Sequence, residues 1–413
     1  MPTLIRSAEA ITHPADWDEV QLGDVATFHK GSGLSKASLS PTGRYPCILY
    51  GELFTTYGAV IDEVASRTDT TPRVVSRAGD VLMPTSDVTP SGLAKASAVL
   101  QDGVALGGDI LVIRPDPERV VPEFLAYAIR ADARQVLSFV RGSTVYHLYA
   151  SDMRNFSLRL PPVGIQKEIA QTLQDFNQYL KALNRVIAKK RQLAMAIRNS
   201  LLTGSQRLHG FSEAWELKQV SDLGGHFVKG GGIAKQDLAH SGLPCVLYGE
   251  LYTHHHDWIR SFRSFLPFHI AHGATRLLPG DVLFAGSGET AEDIGTCAAY
   301  LGGDSPAYAG GDIVIWRGAQ LDPCFAGYAL NAPPVQAQKS RLGQGATILH
   351  ISAKQLAQLE VLVPPTQEEQ AAIAKVLRDI DGEIEALAVQ GDKYAQLQTA
   401  MTQALLSGQS RLR

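Results

Sequence analysis

The 413-residue sequence is poor in cysteine: Cys47, Cys245, Cys297 and Cys324 lie far apart, with no C-x-x-C pair. That spacing speaks against a disulfide framework and a structural zinc cluster, and it points to a reducing compartment, the cytoplasm. The sequence also lacks the roughly 18 uninterrupted apolar residues that a membrane span needs. Its opening, Met1-Pro-Thr-Leu-Ile-Arg-Ser, has no apolar centre of the kind a secretion signal carries. Nor is there an excess of positive charge. Lys and Arg number 38 against 41 Asp and Glu, a net −3, so the basic footprint usual for a nucleic-acid binder is missing. What remains is an ordinary globular composition, 45% hydrophobic and 19% charged. At about 100–200 residues per domain, the length leaves room for about two to four domains.

The sequence is organised by an internal repeat. Pro46-Cys-Ile-Leu-Tyr50-Gly-Glu52-Leu returns 198 residues later as Pro244-Cys-Val-Leu-Tyr248-Gly-Glu250-Leu, and Trp17 pairs with Trp215 at the same offset. Gly79-Asp80-Val-Leu matches Gly280-Asp281-Val-Leu, and Gly107-Gly-Asp109-Ile matches Gly310-Gly-Asp312-Ile. Thr144-Val-Tyr-His147 then meets Thr347-Ile-Leu-His350, Pro161-Pro162 meets Pro364-Pro365, and Leu201-Leu-Thr-Gly204 meets Leu405-Leu-Ser-Gly408 at an offset of 204. The matches are collinear and drift by only six residues. Each half opens with short apolar runs punctuated by Gly, Pro and Asp, which predict strands. Helical spacing over residues 122–140 makes the segment mixed α+β rather than purely β.

After each Pro-Pro pair a long helix is predicted. Apolar residues of the first fall at Ile169, Leu173, Phe176, Leu180, Leu183, Ile187, Ala194, Ile197 and Leu201. That spacing of four and three, broken at Lys190, is a coiled-coil seam. The second keeps the register with Ile373, Leu377, Ile380, Ile384, Leu387, Gly391, Tyr394, Gln398, Met401 and Leu405. Residues 166–208 carry a net +6 and residues 364–413 a net −2, so the two helices are expected to prefer each other over themselves. The ten residues 205–214 reach at most about 35 Å, less than the roughly 57 Å of helix over residues 166–203. The second helix must therefore run back along the first, antiparallel, to bury its seam. The expected architecture is α+β: two similar recognition domains joined by two long antiparallel coiled-coil helices, with a pseudo-twofold internal repeat. Its boundaries are residues 1–160 for the first domain, 161–208 for the central helix and linker, 209–363 for the second domain and 364–413 for the C-terminal helix. Such a rod would act as a molecular ruler.

This layout resembles the specificity subunit of prokaryotic type I restriction–modification systems over nearly the whole chain. The resemblance rests on the Trp17/Trp215 entries, the Tyr-Gly-Glu-Leu and Gly-Asp-Val-Leu repeats and the Pro-Pro junctions. It rests also on Gln166-Lys-Glu-Ile-Ala with Gln370-Ala-Ala-Ile-Ala, and on the Leu-Leu-Thr/Ser-Gly ends. It implies a non-catalytic subunit with two target-recognition domains, each reading one half of a bipartite sequence in double-stranded DNA. By the same resemblance, the coiled coil sets the gap and docks two methyltransferase subunits, and motor–nuclease restriction subunits join the full complex. Cofactors (S-adenosylmethionine, ATP and Mg) are expected in those partners and none in this chain. Two other readings stay open, a specificity subunit of a related motor-less methyltransferase–nuclease system and a non-DNA scaffold spacing two ligands. Half-sites one helical turn apart lie about 34–36 Å from each other, a span within reach of such a rod. Residues 17–160 carry 14 bases and 16 acids, and residues 215–363 carry 10 and 13. DNA affinity is therefore expected to be shared with the partners.

Candidate DNA contacts come from loops. The Gly-rich segments His29–Lys36 and Val228–Lys235 lack nucleotide-binding spacing. They offer Lys30, Ser32, Lys36, Lys229 and Lys235 to phosphates, with a plain turn as the other reading. Thr85, Ser86 and Ser287 lie in polar loops that differ between the copies, where base readout can vary. Arg141, Ser143 and Thr144 face Gln344 and Thr347 across the repeat, and Arg to guanine and Gln to adenine are common bidentate pairs. Tyr50-Gly-Glu52 and Tyr248-Gly-Glu250, present in both copies, are read as scaffold, although Glu can accept from cytosine N4. Three adjacent histidines, His254, His255 and His256, cannot all face one ion, so their segment is read as a solvated or DNA-facing loop, and no metal site is expected. Asn331-Ala-Pro-Pro334 resembles the catalytic motif of adenine-N6 methyltransferases, but the inserted Ala and the following Val break it.

Overall fold

The computed structural model describes residues 17–345 and 348–410. It divides into two units, one of residues up to 185 and from 389, the other of residues 186–388.

In the first unit a five-stranded sheet runs in the order Ala26–Lys30, Ile110–Pro115, Asp80–Pro84, Ser97–Val99 and Val60–Ile61. All neighbours are antiparallel except the last pair. Its strands Asp80–Pro84 and Ile110–Pro115 are apolar apart from the paired Asp80 and Arg114, because both faces are covered, and side chains alternate between the faces. Val81, Met83, Leu111 and Ile113 join the core formed with Phe124 and Leu125 of helix Pro122–Ala131. Leu82, Ile110 and Val112 point the other way, onto Ile48 and Leu106 of the sheet Ser66–Thr68, Tyr45–Ile48, Ala105–Leu106. The helical stretch expected over 122–140 is two helices. Asp132 ends the first and caps Ala133–Phe139 by accepting from the Gln135 N–H.

The second unit repeats this plan. Its sheet runs His226–Lys229, Ile313–Arg317, Val282–Ala285, Cys297–Ala299, Asp257–Trp258. Val282 and Phe284 pack toward helix Pro323–Leu330, while Leu283 and Ala285 pack away from it. The second layer gains a strand, in the order Ser264–Leu266, Leu243–Val246, Tyr308–Ala309, Thr275–Arg276. The addition accompanies an insertion holding the short helix Phe268–Ala271, which is where the repeat offset drifts from 198 to 201.

The long helices are Val163–Leu202 and Gln367–Leu406, 40 residues each. Each unit holds a portion of both, and within each unit the portions are antiparallel. In the first, the Phe176 and Tyr179 rings lie 6.1 and 5.1 Å from Tyr394, and Gln398 donates to Asn177. Ile169, Leu173 and Leu405 enter the same core there. In the second, Lys190 Nζ lies 2.6 Å from Glu383 and Arg198 3.2 Å from Asp381, while Leu201, Leu202, Ile373 and Leu377 share the domain core. Gly204 and Gly408 follow the two helices with φ of 68° and 72°, conformations that suit glycine at a helix end.

Candidate nucleic-acid interface

The repeated motifs divide into those spent on the scaffold and those left at an edge. Glu52 is spent: its two oxygens accept from the Leu49 N–H (2.7 Å) and from the Ser66 hydroxyl (2.6 Å). Glu250 does the same with Leu247 and Ser264. The Asp of Gly-Asp-Val-Leu is buried in both copies. Asp80 takes a two-pronged contact from Arg114 at 2.7 and 2.9 Å, and Asp281 takes one from Arg317 at 2.9 and 2.7 Å. Gly79 and Gly280 supply the positive φ (95° and 93°) that aims each carboxylate inward. Gly31 and Gly230 are also structural. A Cβ there would lie 2.0 and 2.2 Å from the carbonyl oxygens of Gly107 and Gly310.

The edge left over gathers several of the predicted contacts. The Thr85 N–H donates to the Asp109 carbonyl (2.8 Å) and the Leu148 N–H to the Thr85 carbonyl (3.0 Å). Ser86 pairs with His147 in a two-stranded ladder, and Arg141 and His147 exchange backbone hydrogen bonds of 3.0 and 2.7 Å. Lys30 stands exposed 3.8 Å from Asp109. Thr85, Ser86, Lys30 and Arg141 are thus brought to one edge, with Ser143 and Thr144 exposed in the turn after Arg141. Ser32 is half-buried, and its N–H is tied to the Leu106 carbonyl; Lys36 is exposed on the following turn. The second unit repeats the backbone pattern: Gly286 N–H to the Asp312 carbonyl (2.7 Å), Ile351 N–H to the Gly286 carbonyl (2.9 Å), and reciprocal bonds between Gln344 and His350. Lys229, Lys235 and Gln344 are exposed. Thr347 lies outside the described residues. Ser287 is a correction: it is buried at 3% exposure, with its hydroxyl 2.9 Å from His350 Nδ1, so it orients the histidine instead of facing outward.

Other members of this edge show in the sequence only as repeated residues. His147 and His350 recur at the repeat offset, and each closes its hairpin. Asp109 and Asp312 hold φ of 59° and 58°, a left-handed turn that Asp tolerates better than most side chains. Tyr149, half exposed with its ring 6.2 Å from His147, carried no signal beyond its type.

The reading of residues 253–257 as a solvated loop is also corrected. His256 is exposed, but His255 is buried at 1% and Asp257 at 2%. Asp257 lies 2.9 Å from Arg198 and accepts from Asn331, which also holds the Cys297 backbone. The short strand Asp257–Trp258 packs against helix Pro323–Leu330, which turns Asp257 into the core. Burial, followed by the charge of His254 and Arg263, pulls His255 down to about 4. Burial likewise raises the Asp257 carboxyl against the opposing pull of Arg198. Among the described residues no cluster of His, Cys, Asp and Glu could hold a metal ion. Lys339, also fully buried, donates to the Gly295 carbonyl (2.7 Å), and burial lowers it to about 8.

The helix seam residues all face inward. Ile169, Leu173, Leu183, Ile187, Leu201, Ile373, Leu377 and Leu405 are buried, and Phe176, Leu180, Ile197, Ile380, Ile384, Leu387, Tyr394 and Met401 are half-buried. Each domain is also clasped to the helix that follows it. Asn177 donates to the Tyr127 hydroxyl (2.7 Å), and at the equivalent place Tyr328 donates to Asp381 (2.7 Å). Beside these lie Lys181–Asp62 at 2.9 Å and Arg260–Glu385 at 3.0 Å, the same two positions with the charges exchanged. Gln166 and Gln370 fix the helix starts, accepting from the Val121 and Asp322 N–H groups at 2.8 Å.

Comparison with known proteins places these features. Residues 14–192 match the family described as "Type I restriction modification DNA specificity domain". The chain is 22% identical over 426 residues to the type I restriction enzyme MjaVIII specificity subunit of Methanocaldococcus jannaschii, covering 97% of this chain and 94% of that one. The fold is similar to the S subunit of a type I system from M. genitalium, with a TM-score of 0.64, 14% identity, and 94% and 96% of the two chains covered. It is also similar to the HsdS subunit of Thermoanaerobacter tengcongensis, with a TM-score of 0.50, 18% identity and coverage of 96% and 98%. No helix among the described residues is long and apolar enough to cross a membrane.

Proposed function

We propose that the chain is the DNA sequence-recognition subunit of a type I restriction–modification complex, a reading supported by the match of residues 14–192 to the DNA specificity domain of such systems. Each domain reads one half of a bipartite target, and the two helices set the unread gap between the halves and dock two methyltransferase subunits. Chemistry resides in those partners and in restriction subunits of the full complex, where S-adenosylmethionine, ATP and Mg act. The observation that carries the reading is the duplicated edge. The backbone bridge between Arg141 and His147 is reproduced between Gln344 and His350, while the exposed side chains that open it differ. A common frame bearing different hydrogen-bonding groups is what two readers of unlike half-sites require, since base edges are told apart by donor and acceptor pattern. The acidic balance of both domains further supports sharing phosphate contacts with partner subunits.

The test is to map adenine methylation across the genome of cells that express this chain with its cognate methyltransferase subunit. Methylation confined to a motif of two short specific halves around a fixed gap is the expected result. An assembled complex that leaves the genome unmethylated, or methylates a single uninterrupted motif, would contradict the proposal.

A further inference from the structure

The two repeats place one short hairpin at the same point of each domain. Arg141 and His147 exchange backbone hydrogen bonds in the first, Gln344 and His350 in the second. In each turn a glycine of positive φ, Gly142 (120°) or Gly345 (145°), approaches a carbonyl so closely that a Cβ would lie 2.1 or 1.9 Å from it. At these glycines the backbone is therefore held alike in both copies, while the side chain that opens the hairpin changes from Arg141 to Gln344. Arg141 is 69% exposed, and its Nη2 lies 2.7 Å from Asp152 Oδ1. Asp152 sits on the helix Ala150–Met153, only 15% exposed at its side chain, and its Oδ2 has no hydrogen-bond partner among the described residues. Its charge is thus directed at Arg141. At the place of Asp152 the second copy has Gln355, which is used up in a helix cap: it accepts from the Ser352 N–H (2.8 Å) and hydroxyl (2.7 Å) and donates to the Leu342 carbonyl (2.7 Å). The buttress is present where the arginine is and absent where the glutamine is.

Resting on the DNA-recognition reading above, we infer that Arg141 is the guanine-reading side chain of the first domain, with Asp152 as its positioning residue, and that Gln344 reads adenine from the same hairpin position in the second. An arginine held at one nitrogen keeps its remaining donors in a fixed fork, which matches the O6 and N7 acceptors of guanine in the major groove. Glutamine offers one donor and one acceptor, the complement of adenine N6 and N7, and needs no counter-charge.

The experiment is selection from a random duplex library by the full chain assembled with its methyltransferase subunit. The unaltered complex is expected to select two half-motifs, with a guanine in one and an adenine in the other. Arg141→Gln combined with Asp152→Gln should turn that guanine into adenine, a swing of roughly 5- to 150-fold in preference for one good bidentate pair, and leave the other half and the gap as they were. Asp152→Asn should relax the choice at that one base pair alone, which a purely structural role would not do. Should the double variant fail to assemble, Gln344→Arg with Gln355→Asp makes the reciprocal test, adenine to guanine in the other half. An unchanged half-motif in these variants overturns the inference while leaving two-domain recognition intact. Selection of no bipartite motif by the unaltered complex overturns the reading and the inference together.

Discussion

Exchanging the charges of the clasp between the first domain and its helix separates electrostatic seating from simple packing. Asp62 and Lys181 meet at 2.9 Å with about half of each side chain exposed, 44% and 54%. An exposed pair contributes about 0.2–1 kcal/mol, and two like charges about 4 Å apart in a water-like medium repel by about 1 kcal/mol. Asp62→Lys or Lys181→Asp alone should therefore loosen the seat by about 1–2 kcal/mol, and the two together should return it to near its original value. Hydrogen exchange of the amides near residue 62 in the full chain reads this directly. Each single variant should exchange about 5- to 30-fold faster in low salt, less so in 1 M salt, where the screening length falls to about 3 Å. In the second domain Arg260 serves both Glu385 (3.0 Å) and the mostly buried Asp381 (3.2 Å), so Arg260→Asp should cost more than Asp62→Lys. If the double reversal at 62 and 181 exchanges as fast as the two singles combined, the residues do not interact and the clasp is only packing.

Asp80→Asn leaves Arg114 facing a neutral partner in a buried setting, and thermal unfolding should show a loss of about 3–5 kcal/mol; a loss below about 1 kcal/mol would mean that the pair is not what holds the two central strands. His255 is held neutral by burial at about 4, whereas the unfolded chain binds its proton below about 6.5. Its contribution is thus whole above pH 6.5 and is lost as pH falls towards 4, by up to about 3 kcal/mol. His255→Phe should flatten the stability–pH curve in that window, and parallel curves would refute the buried neutral state. Lys30→Glu should weaken DNA binding by the assembled complex for all sequences alike, and lower the slope of affinity against salt by about 1; a change in target motif would show that Lys30 reads bases.

The repeat, the mixed α+β domains and the two heptad helices were legible because each is written as a short-range pattern. Apolar residues three and four apart and motifs recurring at near-constant offset need no knowledge of tertiary contacts. What the sequence hid is pairing across distance. Asp80 finds Arg114 34 residues away, and Asp62 finds Lys181 119 residues away, so the charge exchange between the two clasps shows only once both ends are placed. His255 carries no mark of its burial, because the turn between helix Glu250–Thr253 and strand Asp257–Trp258 decides which of three adjacent histidines goes inward. Ser287 occupies a position equivalent to a candidate reader, but its hydroxyl is engaged with His350 Nδ1. The guanine and adenine candidates were visible as residue types, whereas the asymmetry of their supports, Asp152 against Gln355, came only from the folded hairpins.

A domain exchange separates two independent readers from a single shared recognition surface. Residues 215–363 would be replaced by the matching segment of a related subunit with a different target, the helices left untouched, and the methylated motif of the resulting complex mapped across a genome. One new half-site is expected, with the other half and the gap preserved. A change in both halves, or a change in the gap alone, would contradict it.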